Sequence, residues 1–215
     1  AIVFNNLIYV FYSGSNSGNS LVCYSTFDPA SQAVSLPVSI PFAWPNSSSS
    51  PSATIFNNLL YLFWNGGAND GIWYSTISAT NSIWTPQVSV AKNAAVPPRL
   101  GMAGGSSPAA VTYGDSIYLF YNGDGNDGTW YVTFNGNASN FWSAPSQVQA
   151  FKDGLNVAFC SSPAACVTQN GSAISLFWED SVNTAQIWYS VLDQSGAWSA
   201  GYQMVCPNDP PGILG

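Results

Sequence analysis

Short apolar runs alternate along the chain with clusters of Asn, Gly, Ser and Pro, and inside each run the side chains switch faces at every residue. Around Phe63, the residues Leu60, Leu62 and Trp64 point one way while Tyr61 and Phe63 point the other, which is the period-two signature of a strand. Both sets are apolar, so the predicted sheet must be covered on both faces. The polar clusters between runs are turn chemistry, because Asn and Gly accept positive φ and Pro presets a turn.

The pattern occurs four times. Residues 53–75 read ATIFNNLLYLFWNGGANDGIWYS and residues 110–133 read AVTYGDSIYLFYNGDGNDGTWYVT, with weaker copies at 1–25 and 165–190. The landmark residues Phe11, Phe63, Phe120 and Phe177 lie 52, 57 and 57 residues apart (63 − 11, 120 − 63, 177 − 120). Each copy predicts an apolar strand, an Asn/Gly/Asp turn, a second strand, a polar loop and a third strand carrying Trp-Tyr or its equivalent. A stretch with Trp84, Trp142 or Trp198 and a fourth extended segment follow. Four short antiparallel strands per repeat is the pattern of a propeller blade. The expected fold is therefore all-β, a β-propeller of four-stranded antiparallel blades, four in number. It forms a single domain over 1–215, with repeats at approximately 1–46, 47–103, 104–158 and 159–215. A closed ring of four is the first expectation, and four repeats drawn from a larger or assembled propeller is the second.

Charge narrows the partners. Charged residues make up 6% of the chain against 15% aromatics, and the net charge of −7 leaves only Lys92, Arg99 and Lys152 as cations. Nothing here neutralises a phosphate backbone, so nucleic acid is excluded as a partner. No run approaches the ~20 apolar residues of a membrane span, and no basic segment leads into an apolar signal core, so a soluble mature chain is expected. The missing initiator Met fits a removed leader or a protein sequenced from natural material. Cys23, Cys160, Cys166 and Cys206 allow three full pairings, and without His their scatter does not suit zinc. Sequons at Asn46, Asn137 and Asn170 fit a secreted or extracellular protein.

In a propeller the loops between second and third strands share one face with the segments joining blades, which gathers residues 65–71 and 122–128 together. Trp73, Trp130 and Trp188 follow those loops closely, and an indole beside amides and carboxylates suits a sugar, whose C–H face stacks while its hydroxyls hydrogen-bond. The plainer readings are that Asn-Asp-Gly is a good turn, that these tryptophans fill gaps between blades, and that Trp84, Trp142 and Trp198 are structural. Asn122, Asp124, Asn126 and Asp127 make an oxygen-rich loop, so calcium is the one ion weighed, although the spacing is not that of an EF-hand. Without His no Ser-His-Asp or Cys-His device can form. Glycoside hydrolysis could still use two carboxylates, and Glu179-Asp180 is the pair the sequence offers, but adjacent side chains in a strand or turn diverge and Glu179 is the only Glu.

The repeated S-P-x-A…I/L-Y-L-F-W/Y-N-G…N-D-G-x-W-Y…W signature resembles the β-propeller lectins of fungi and bacteria over essentially the whole chain. That resemblance implies a non-enzymatic, multivalent carbohydrate-binding protein, without cofactor, whose partners are glycans or glycoproteins and which can form homo-oligomers. It implies sugar sites at or between blades, with Asp70, Trp73, Asp127 and Trp130 as principal residues. Asn69, Asn126 and Asn183 assist, with Trp188 completing the aromatic set. The Arg and Glu that the fucose-binding branch uses in each blade are missing, which favours a neutral or N-acetylated sugar. A protein-interaction or toxin and defence propeller is the alternative, and a glycoside hydrolase is the least expected reading.

Overall fold

The Asn pairs of the first two repeats sit where the chain must reverse within two residues. Asn5 and Asn6 (φ 50° and 61°) and Asn57 and Asn58 (φ 49° and 60°) adopt the left-handed conformation that a tight hairpin with matching twist requires. In the computed structural model, described over residues 1–16, 19–41, 43–45, 49–67, 70–90, 105–124, 127–136, 142–152, 154–155, 161–180 and 186–204, these turns join strands into four antiparallel sheets.

Blade 1 runs β1 (Ile2–Phe4), β2 (Leu7–Asn16), β3 (Asn19–Asp28) and β4 (Ala33–Val34), with β5 (Val38–Ser39) also paired to β3. Blade 2 comprises β6 (Ser52–Phe56), β7 (Leu59–Asn65), β8 (Ile72–Ser78) and β9 (Val88–Ser89). Blade 3 comprises β10 (Ala109–Tyr113), β11 (Ser116–Asn122), β12 (Thr129–Phe134) and β13 (Ser146–Gln147). A four-residue helix, α1 (Gln149–Lys152), precedes blade 4, which holds β14 (Ala164–Val167), β15 (Ile174–Glu179), β16 (Ile187–Leu192) and β17 (Tyr202–Gln203). Within each blade the strands pair in sequence order, and the first strands β1, β6, β10 and β14 pack successively against one another as the inner strands of a β-propeller.

The two-sided alternation read from the sequence is what joins the blades. Leu60, Leu62 and Trp64 enter the core between blades 1 and 2, while Tyr61 and Phe63 enter the core between blades 2 and 3. Blade 3 repeats this, with Ile117, Leu119 and Tyr121 facing blade 2 and Phe120 facing blade 4.

A tryptophan locks each junction. Trp84 of blade 2 stands edge-on to Phe11 of blade 1 at 5.9 Å. Trp142 of blade 3 meets Phe63 of blade 2 at 5.7 Å, and Trp198 of blade 4 meets Phe120 of blade 3 at 6.0 Å. The hydroxyl after each indole holds it in register, because the amides of Thr76, Thr133 and Val191 donate to Thr85 Oγ1, Ser143 Oγ and Ser199 Oγ at 2.9, 2.9 and 3.0 Å. These tryptophans are structural, as the plainer sequence reading has it. Cys23 and Cys166 carry free thiols, and Cys160 and Cys206 lie outside the described residues.

Candidate functional site

One rim of the propeller is where the second strands end and the inner strands of the following blades begin. In blades 1 to 3 the residue two past the landmark phenylalanine of the second strand reaches across to the next blade. Ser13 Oγ donates to the Ser49 carbonyl at 2.7 Å, Asn65 Nδ2 to the Ser106 carbonyl at 3.4 Å, and Asn122 Nδ2 to the Ser161 carbonyl at 2.8 Å. Beside them the Ser50 amide donates to Ser107 Oγ at 2.7 Å and the Ser107 amide to Ser162 Oγ at 2.8 Å, so hydroxyls step around the rim from blade to blade. These linkers were missed in the sequence. The signal that finds them is position: Ser13, Asn65 and Asn122 each lie two residues past a landmark phenylalanine, on the same strand face.

Glu179 occupies that position in blade 4, two residues past Phe177 at the end of β15. A carboxylate cannot donate to a carbonyl as Ser and Asn do, so Glu179 breaks the linker series. It is half-buried on the face turned away from blade 3, and no hydrogen bond to it occurs among the described residues. Asp180 follows it on the same rim.

The sugar-site candidates take a different arrangement. Trp73 Nε1 donates to Asp70 Oδ1 at 2.9 Å and Trp130 Nε1 donates to Asp127 Oδ1 at 3.0 Å, so each carboxylate latches the indole three residues on. The latch demands a glycine opposite. A Cβ on Gly66 would fall 1.7 Å from Asp70 Oδ1, and one on Gly123 would fall 2.0 Å from Asp127 Oδ1. Both tryptophans also pair across strands, Trp73 with Trp64 and Trp130 with Tyr121, and pack against the junction cores. Asp70 and Asp127 thus spend one oxygen each on their own loops while remaining exposed. Burial, with Asp127 nearby, pushes the Tyr121 hydroxyl well above the usual tyrosine range. Trp188 pairs across strands with Trp178 and packs against the core between blades 3 and 4, its indole nitrogen buried without a hydrogen-bond partner. Asn69, Asn126 and Asn183 lie outside the described residues. Among the described residues no group of three or more acidic or thiol side chains is gathered for a metal ion.

Asp70, Asp124, Asp127, Glu179 and Asp180 therefore share the rim on which the second-to-third-strand loops emerge, and Lys152 is the one cation among the described residues. Such a surface can exchange protons and accept hydrogen bonds from neutral hydroxylated ligands. It has no described cation cluster for an anionic one.

No protein-family model matches the sequence, and no curated protein is similar to it. Solved structures match in fold. An alpha-L-arabinofuranosidase from Podospora anserina, in complex with cellotriose, superimposes with a TM-score of 0.61 at 20% identity, covering 93% of this chain and 64% of that one. A glycoside hydrolase family 43 enzyme from Xanthomonas citri, complexed with xylotriose, gives 0.63 at 13% identity, covering 93% and 70%. A family 117 glycoside hydrolase from Zobellia galactanivorans gives 0.62 at 10% identity, covering 92% and 66%. The chain thus spans slightly less than two thirds of the arabinofuranosidase. These neighbours share its β-propeller architecture.

They also correct two expectations. The reading of a non-enzymatic lectin is overturned, since the matching propellers are glycoside hydrolases and the lectin family finds no support. Its physical error lay in discounting Glu179 and Asp180 because neighbouring side chains diverge, since the two carboxylates of glycoside hydrolysis need not be adjacent in sequence.

Proposed function

We propose that this chain is the propeller of a glycoside hydrolase acting on a neutral sugar, with Glu179 as one of the two carboxylates the reaction requires. The observation that carries the proposal is the placement of the chain's only Glu. It stands at the rim, in the position where the other three blades hold Ser or Asn, and it is free of the linking role those residues perform. The propeller fold shared with arabinofuranosidase, family 43 and family 117 enzymes supports the same reading.

Two carboxyl groups flanking a glycosidic bond divide the work. One protonates the leaving oxygen while the other attacks the anomeric carbon or activates water. The second carboxylate is drawn from Asp124, Asp127 and Asp180 on the same rim. Asp70 and Asp127 each keep one oxygen uncommitted, and the half-buried indoles beside them leave part of a ring to meet a sugar. The acidic rim selects against uronates and sialic acids and accepts neutral pentoses or hexoses.

The test is hydrolysis of aryl arabinofuranosides, aryl xylosides and short xylo-oligosaccharides by the purified chain. Glu179→Gln should lower kcat by at least about 100-fold, the usual worth of a positioned acid or base. Asp193→Asn, on a distant turn, should leave it unchanged. A panel of neutral glycosides that are all left intact, or activity that survives Glu179→Gln, would refute the assignment.

A further inference from the structure

In blades 1 to 3 the first hairpin turns within two residues, at Asn5-Asn6, Asn57-Asn58 and Gly114-Asp115. Blade 4 departs from them, because β14 and β15 are joined by residues 168–173, which read TQNGSA. The longer loop is firmly held. The Thr168 amide donates to the Ala173 carbonyl at 2.9 Å across its base, and the Gly171 amide donates to the Thr168 carbonyl at 2.8 Å. The Tyr113 hydroxyl of blade 3 donates to the Ser172 carbonyl at 2.9 Å, which fixes the loop to the neighbouring blade. Gly171 sits at φ 67°, in the left-handed region, so the turn that follows Asn170 favours glycine.

The loop is folded around one side chain. Asn170 Oδ1 accepts from the Thr168 hydroxyl at 2.9 Å, from the Ser172 amide at 3.1 Å and from the Ser172 hydroxyl at 2.6 Å. Every contact goes to the oxygen. Nδ2 donates no hydrogen bond among the described residues, and Asn170 is exposed. A Cβ built on Gly171 would meet nothing within 4 Å, so the apex of the turn has open space around it. A substituent on Nδ2 would therefore displace no contact of the folded chain.

The apex is also one of the three sequons, Asn170-Gly171-Ser172. The other two, at Asn46 and Asn137, lie outside the described residues. The loop stands at the end of blade 4 away from the rim, since β15 (Ile174–Glu179) carries the chain back to Glu179 over about 17 Å of strand. A bulky group there leaves the acidic rim open.

We propose that Asn170 is an acceptor for an N-linked glycan, attached while the chain passes through a secretory compartment. The donor class is a lipid-linked oligosaccharide diphosphate. Nδ2 forms a bond to the anomeric carbon of the first sugar, the bond from that carbon to the diphosphate oxygen breaks, the lipid diphosphate leaves with the electron pair, and one Nδ2 proton passes to a base of the transferring enzyme. The hydroxyl that such an acceptor needs two residues on is that of Ser172, which already touches the same carboxamide. The glycan would hydrate a surface that carries little charge, charged residues being 6% of the chain.

The test is to express the full chain behind an added signal peptide in eukaryotic cells that glycosylate a co-expressed control protein. Peptide mass mapping is then applied to the medium and the cell extract together. The peptide containing Asn170 should carry a sugar mass that an N-glycan amidase removes, leaving Asp at that position. Asn170→Gln and Ser172→Ala should each abolish the mass, whereas Ser172→Thr should retain it. Asn170 found unmodified in both fractions, or a sugar mass that survives Ser172→Ala, would overturn the proposal. The amidase should also act on the folded chain at a rate within several-fold of that on the unfolded chain. Release that occurs only after denaturation would show that the position is covered and would overturn the placement on which the proposal rests.

Discussion

Replacing Trp142 by Ala removes the indole that joins blade 3 to blade 2. Trp142 is 1% exposed and lies 5.7, 6.0 and 5.2 Å from the rings of Phe63, Tyr74 and Phe134. A tryptophan of this kind removes about 150–250 Å² from water, which at about 25 cal/mol per Å² is worth about 4–6 kcal/mol. Truncation of buried Phe or Trp typically costs about 3–5 kcal/mol because the neighbours relax only in part. The indole nitrogen has no hydrogen-bond partner, so the loss is one of packing rather than of a polar contact. At about 2–4 °C per kcal/mol for a chain of this size, Trp142→Ala should lower Tm by about 6–20 °C. Thermal unfolding followed by circular dichroism, with a urea midpoint as a check on the slope, reads this directly. Ile83→Ala is the control, because Ile83 is 72% exposed and should cost under about 0.5 kcal/mol. A drop for Trp142→Ala no larger than the control's would show that the blades are held by something other than the indole at each junction.

Gly123→Ala should break the Asp127–Trp130 latch, since the added methyl occupies the carboxylate's place; a loss of about 1–3 kcal/mol and a changed tryptophan emission spectrum are expected, and an unchanged spectrum would count against the latch. Asp28 and Asp193 are held below the usual carboxylate range, first by hydrogen bonds from Ser31 and Ser195 and then by backbone amides. Their folded values lie below 3.8, so they contribute stability above that pH and lose it as pH falls through the folded value. The double variant Asp28→Asn, Asp193→Asn should therefore show a flatter loss of urea resistance between pH 5 and acid, the comparison being with the parent chain. Tyr121 behaves in the opposite sense: its raised value means that stability is complete below about pH 10, the unperturbed tyrosine range, and falls as pH rises beyond it. Tyr121→Phe should flatten that alkaline limb, and a limb as steep as the parent's would show that other groups govern it.

Much of this architecture was legible in the residues. Local rules suffice for a hairpin closed by Asn57-Asn58, for a strand that is apolar on both faces, and for a repeat that returns Phe11, Phe63, Phe120 and Phe177 to one register. The sandwiching of Leu62 and Phe63 between different neighbours also follows, because period-two alternation assigns faces without reference to distant chain. The plainer reading of Trp84, Trp142 and Trp198 as packing residues needed nothing more than their recurrence.

The chemistry of the rim was less accessible. Asp70 and Asp127 look like ligands in the sequence, and a hydrogen bond to an indole three residues away depends on how the loop folds back over Gly66 or Gly123. The significance of Glu179 emerges only when its blade is laid beside the other three, where Ser13, Asn65 and Asn122 reach across to the next lead-in strand. Strand pattern and turn chemistry act over a few residues and so are written locally. The angle between blades, and hence which apolar faces meet, is set by the summed packing of whole sheets.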